Sequence, residues 1–113
     1  MHRHHAIDYI EFTVRDMEVA RQFYSAAFGW AFTNYGPDYA GIKGDKGEVG
    51  GLRRDDNVKV GGPLVVLFSE DLEATIAAVK QAGGKVQPPF AFPGGRRFHF
   101  TDPSGNELAV WAK

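Results

Sequence analysis

The sequence predicts an α+β fold built from two βαβββ modules, and three observations predict it. Short β-rich runs alternate apolar and polar residues, two helical runs each follow an aspartate, and one half of the chain maps onto the other. An offset of 55 residues carries Asp16 onto Asp71, Gly29 onto Gly84 and the run 7–14 onto 62–69. The modules cover 7–54 and 63–113, joined by the polar linker 55–62 (DDNVKVGG), so that 1–113 makes a single domain.

The elements follow in order. IDYIEFTV reads as a strand with Ile10, Phe12 and Val14 on one face and Ile7, Tyr9, Glu11 and Thr13 on the other. Asp16 caps a helix by accepting from its free N–H groups, with Ala20, Phe23, Tyr24, Ala27 and Phe28 at helical spacing. Gly29 suits the left-handed residue that ends it. Strands follow around 30–34, 38–43 and 48–54, the last two joined by the GDKG turn. In the second half PLVVLFS is a strand, and Asp71 caps LEATIAAVKQA, with Leu72, Thr75, Ile76 and Val79 on one face. Gly83 and Gly84 end that helix, and strands follow near 85–87, 96–101 and 107–112. The segment QPPFAFPGGRRF reads as an aromatic flap or as a connection stiffened by proline.

Composition narrows the chemistry. A formal charge of −1 offers no basic field for nucleic acid or anionic lipid, and the lack of cysteine excludes disulfides and thiolate chemistry. No apolar run approaches membrane-spanning length and no leader is evident, so a soluble, cytoplasmic protein with a small-molecule ligand is expected. The glycines of GDKGEVGG lack the Gly-Lys-Ser/Thr ending and the helix of a phosphate loop.

The fragments VRDMEVARQFYSAAFGW, GEVGGL, EDLEATIAAVKQAGGKV and FHFTDPSGNELAVW resemble, in order and over nearly the whole chain, the vicinal oxygen chelate superfamily. That superfamily includes glyoxalase I, extradiol dioxygenases and bleomycin-resistance proteins. The chain is most similar to small bacterial predicted enzymes related to lactoylglutathione lyase. The resemblance implies eight strands curled around a cup, helices on the outer face, and a homodimer. It also implies that metal-using relatives draw ligands from positions that are Tyr9, Gly51, Leu64 and Ala109 here. Divalent metals need imidazole or carboxylate donors, so no metal or other cofactor is expected.

Strand parity then places Glu11 on the cup face two residues beyond Tyr9, where its repeat mate is Val66. Glu107, Ala109 and Trp111 share that face; a tight DPSGN hairpin puts His99 opposite Ala109 and Arg97 one pleat away, the mate of His99 falling near Ile42. Glu11 is the candidate proton-transfer group, or, paired with an arginine, a structural or substrate-orienting one. His99 is the candidate acid–base partner, or a packed strand histidine. Tyr9, Arg53, Arg97 and Trp111 are candidate substrate contacts through a hydroxyl, two guanidinium groups and an aromatic wall.

Three functions remain open. The leading one is a metal-independent small-molecule site, a lyase or isomerase related to lactoylglutathione lyase. The second is a non-catalytic ligand-sequestering protein of the bleomycin-resistance type. The third is a metal-dependent glyoxalase or dioxygenase with a displaced ligand set such as His5, Glu11 and His99. The histidines of MHRHHAIDYIEF otherwise read as a terminal segment, mobile ahead of the first strand.

Overall fold

The structure is a computed structural model that describes residues 2–58, 62–103 and 105–113. Part of the expected linker, residues 59–61, and Ser104 of the DPSGN turn lie outside the described residues. The fold is α+β. Its elements are β1 (Ile7–Val14), α1 (Met17–Phe28), β2 (Phe32–Asn34), β3 (Tyr39–Gly44), β4 (Gly47–Arg54), β5 (Leu64–Phe68), α2 (Leu72–Gln81), β6 (Lys85–Val86), β7 (Phe90–Phe92), β8 (Gly95–Thr101) and β9 (Glu107–Ala112). Two compact units emerge. The first holds Tyr9–Pro63; the second holds Leu64–Lys113 together with the N-terminal His2–Asp8.

In the first unit the strand order is β2-β3-β4-β1. β1 runs parallel to β4 with Glu11 opposite Gly51, and β3 runs antiparallel to β4 with Gly41 opposite the same Gly51. Asp16 caps α1 by accepting from the Val19 N–H, and Gly29 ends it at φ +73°, where a Cβ is disfavoured. The core is Met17, Ala40, Ile42 and Leu52, with Phe12, Val14, Ala20, Tyr24 and Trp30 packed on it. Each fully buried large side chain contributes about 1.5–3 kcal/mol relative to exposure. The buried stripe of α1 is narrower than its spacing suggests, because Phe23 and Phe28 stay 57% and 65% exposed, Phe23 edge-on to Tyr24 and Phe28 stacked on it.

The second unit repeats the plan. β5 is parallel to β9, β9 antiparallel to β8, and β6 and β7 both pair with β8. Asp71 caps α2 through the Ala74 N–H, and Leu72 and Ile76 meet Phe98, Val110 and Ala112 in the core. The segment expected as flap or connection instead contributes β7, with Phe92 opposite Gly95 across the Pro93–Gly94 turn. Prolines flank the three paired residues, and an edge strand tolerates them there.

The terminal histidines, expected as a mobile tail, are docked. The His2 ring stacks on Phe68 and meets Trp111 edge-on, and its Nδ1 lies 2.8 Å from the Asp8 carboxylate. His4 Nδ1 accepts from the Glu70 N–H, and His5 Nε2 lies 2.9 Å from the Thr75 hydroxyl.

Candidate functional site

The polar face of the first unit centres on Glu11. Its side chain is 4% exposed, the Tyr39 hydroxyl donates to it at 2.8 Å, and Arg53 Nε stands 3.6 Å away. Tyr39 and Tyr9 hydroxyls are 2.7 Å apart; because Tyr39 spends its proton on Glu11, Tyr9 donates to Tyr39. The phenols are held neutral. Burial, and then the Glu48 and Glu11 charges, push Tyr9 up to about 12. Tyr39 is raised further by burial and by the Glu11 charge.

Two glycines make room for this chain. A Cβ on Gly51 would collide with the Tyr39 and Tyr9 hydroxyls, and one on Gly41 would collide with the Glu48 carboxylate. Glu48 reaches that face through a β-bulge. Ile42 pairs with Gly50 but Lys43 pairs with Glu48, so Val49 is extra and the parity of Glu48 flips. The Tyr35 hydroxyl donates to Glu48, which raises the Tyr35 pKa.

The second unit carries a different set. His99 lies opposite Ala109, and Arg97 opposite Trp111. His99 Nδ1 is 2.9 Å from Glu107 Oε2, while Arg97 approaches His99 Nε2 with Nε at 3.2 Å and Nη2 at 2.9 Å. Phe90 stacks on the imidazole. Trp111 Nε1 donates to Asp8 at 3.0 Å.

Of the expected site residues, the first unit thus brings together Tyr9, Glu11 and Arg53, and the second brings together Arg97 and His99 beside Trp111. Arg53 also holds Asp55 at 3.0 Å; the Asn57 N–H and that guanidinium keep the Asp55 carboxyl below its ordinary range. The repeat mate of His99 is Gly41 rather than Ile42. Gly41 faces Gly51 as His99 faces Ala109, whereas Ile42 turns into the core. Tyr39, Glu48 and Glu107 were not among the expected site residues. The signal for Tyr39 was the pair of facing glycines, which marks space that a neighbour fills; the bulge that redirects Glu48 leaves no such mark.

The four positions that the family resemblance implies for metal ligands offer little here. Tyr9 is a neutral phenol, Gly51 has no side chain, and Leu64 and Ala109 are hydrocarbon. Among the described residues no group of three or more His, Asp or Glu gathers at metal-binding spacing.

Comparison with known proteins bears on the whole chain. The model of the Glyoxalase/Bleomycin resistance protein/Dioxygenase superfamily matches residues 6–110. A glyoxylase-like domain-containing protein of Didymella fabae is 30% identical, with 95% of this chain and 93% of that protein covered. Among solved structures, a Mn(II)-bound glyoxalase from Novosphingobium aromaticivorans is 29% identical at a TM-score of 0.70, covering 99% of this chain but 40% of that one. Methylmalonyl-CoA epimerase from Mycobacterium tuberculosis superposes at a TM-score of 0.72 with 15% identity, covering 94% and 86% of the two chains, which is a likeness of fold.

Proposed function

The chain belongs to the Glyoxalase/Bleomycin resistance protein/Dioxygenase superfamily, and from that premise we propose a glyoxalase-like protein that moves a proton next to a carbonyl without a metal. The observation that supports this reading is the buried Glu11 carboxylate, oriented by the Tyr39 hydroxyl and faced by Arg53 on a glycine-lined strand pair. Glu11 takes the proton from the carbon beside the carbonyl and returns it to the same carbon or its neighbour, so the substrate leaves as an isomer. The Arg53 guanidinium steadies the enolate oxygen, and the Tyr9–Tyr39 pair keeps the carboxylate aimed. The ligand positions argue against a metal on their own chemistry, since they supply one neutral phenol and no imidazole or carboxylate. The proposal includes a cytoplasmic homodimer, which the resemblance to the family supports.

Deuterium exchange tests it. Small ketones and thioesters are incubated with the protein in D2O, and deuterium at the carbon beside the carbonyl is read by NMR. The wild type is expected to catalyse exchange on at least one of them, and Glu11→Gln to lower the rate by about 100-fold or more. Equal binding by both proteins with exchange by neither replaces this reading with ligand sequestration. Exchange unaffected by Glu11→Gln overturns the role of Glu11.

A further inference from the structure

The N-terminal segment folds back onto the second unit and lays one side chain in a corner built by three others. The Ala6 N–H donates to the Arg3 carbonyl at 3.1 Å and closes a turn in which His5 takes φ +62°, a conformation that non-glycine residues seldom adopt. Pairing holds His5 there. Its N–H donates to the Phe68 carbonyl at 2.6 Å, and the Phe68 N–H donates to the Ala6 carbonyl at 3.1 Å. The bonds from the His5 ring to Thr75 and from the Glu70 N–H to His4 add to this. Residues 4–6 are therefore anchored without help from His2, and the turn delivers the His2 ring to Asp8.

The corner has two aromatic walls and a carboxylate. Phe68 and Trp111 are partners across β5 and β9, with ring centroids 5.0 Å apart and planes at 68° to one another. The His2 ring stacks on Phe68 at 5.1 Å and stands perpendicular to Trp111 at 4.9 Å. Both Asp8 oxygens face His2 Nδ1, at 2.8 and 3.0 Å, and Oδ2 also accepts from Trp111 Nε1 at 3.0 Å. A carboxylate only accepts, so His2 Nδ1 carries the donated proton. The Asp8 side chain is 11% exposed and that of His2 39%, so a nearly buried carboxylate is covered by a group that itself reaches solvent. Among the described residues no lysine or arginine pairs with Asp8. Arg97, across from Trp111, directs its guanidinium to His99 and Phe90. When the His2 ring swings away, Asp8 keeps only the indole N–H, and a desolvated carboxylate calls for a donor in its place.

We propose that Phe68, Trp111 and Asp8 form a seat for a small molecule with a planar, cationic nitrogen group, such as an amidinium or aminopyridinium, and that His2 is its resident occupant. The incoming ring lies on Phe68 with its edge toward Trp111, as the imidazole does. Its N–H groups bond to Asp8, and its charge rests against two aromatic faces. An amidinium presents two donors side by side to the two carboxylate oxygens, where His2 presents one. His2 leaves without breaking the bonds that anchor residues 4–6. Because the occupant is tethered, it weakens the apparent affinity for a ligand by the fraction of time that the seat is open. Neither step involves Glu11.

Benzamidine, an amidinium at neutral pH, is the probe, and benzoate, with the opposite charge on the same ring, is its control. Each is titrated into 15N-labelled full chain at neutral pH while the indole N–H signals of the two tryptophans are followed. The Trp111 signal is expected to move saturably with benzamidine and to stay in place with benzoate. His2→Ala should tighten benzamidine about tenfold, which corresponds to a wild-type seat open about one-tenth of the time. Asp8→Asn keeps an oxygen to accept from Trp111 but no charge, and added to His2→Ala it should undo that gain. Equal affinity in wild type and His2→Ala overturns the role of His2 as occupant. A Trp111 signal in His2→Ala that ignores benzamidine, or that responds equally to benzoate, overturns the seat.

Discussion

The two units place different chemistry on the same three-strand frame. In the first, the row across β1, β4 and β3 reads Glu11, Gly51, Gly41; in the second, the equivalent row across β5, β9 and β8 reads Val66, Ala109, His99. The next row reads Thr13, Arg53, Tyr39 in one and Phe68, Trp111, Arg97 in the other. The repeat has kept backbone pairing and exchanged which strand carries the ionisable group. The first strand holds it in one unit and the third in the other. Each large polar group is matched by small residues beside it: two glycines make room for the tyrosine–carboxylate chain, and one alanine faces the imidazole.

The largest expected effect comes from forcing the second row to resemble the first. Val66 is buried, and its partner on β9 is the methyl group of Ala109. Val66→Glu puts a carboxylate there without the tyrosine and arginine that Glu11 has. Urea denaturation at neutral pH should show a loss of about 3 kcal/mol or more. Burial raises the pKa of such a carboxyl, so the folded state binds the proton more tightly than the unfolded chain. Stability should therefore recover as the pH falls toward the acid range. A loss below about 1 kcal/mol would mean that the second row already holds a partner for a carboxylate, and the contrast between the rows would fail.

A smaller effect separates Gly51 from Ala109. Gly51→Ala drives a methyl into the Tyr39 hydroxyl and should cost about 2 kcal/mol, read as a lower urea midpoint at unchanged slope. The reciprocal Ala109→Gly removes a methyl from a strand that accommodates it and should cost about 1 kcal/mol. Equal costs would show that the tyrosine pair yields easily and that the glycine is incidental.

What the sequence disclosed follows the range of each interaction. Both helix caps and the alternation of β1 are local, and Asp16, Gly29, Asp71 and the faces of β1 lie where pattern reasoning puts them. The register His99↔Ala109 was also legible, because the Asp102 N–H to Asn106 carbonyl bond closes the turn that sets it. Features that depend on distant residues were hidden. β7 becomes a strand only because β8 offers it a partner, and its prolines argue the other way. The histidines acquire places from Phe68, Trp111, Glu70 and Thr75, some 60 to 110 positions away in sequence. Tyr39 joins Glu11 only through the pairing of β3 and β1 with β4, and the repeat reading placed the mate of His99 one residue from Gly41 because the two hairpin turns differ in length.

The smallest effect at neutral pH tests whether the phenols of the first unit are as confined as the geometry implies. Tyr9→Phe removes one neutral hydrogen bond and should cost about 1 kcal/mol near pH 8. In the unfolded chain Tyr9 ionises near its ordinary value of about 10, whereas in the folded protein burial holds it neutral up to about 12. Between those values the unfolded chain has released a proton that the folded state keeps. Stabilisation from this group is therefore complete below pH 10 and drains away as the pH rises toward 12. Phenylalanine has no proton to release, so the gap between wild type and Tyr9→Phe should narrow over that window; Tyr35 and Tyr39, present in both, contribute to either curve alike. The second unit has Leu64 at the mate position and adds nothing to this slope. Urea midpoints at intervals from neutral pH upward check it. A gap that stays constant to the alkaline end would mean that Tyr9 ionises freely in the fold, so that its hydroxyl opens to solvent and the chain from Tyr9 through Tyr39 to Glu11 does not hold.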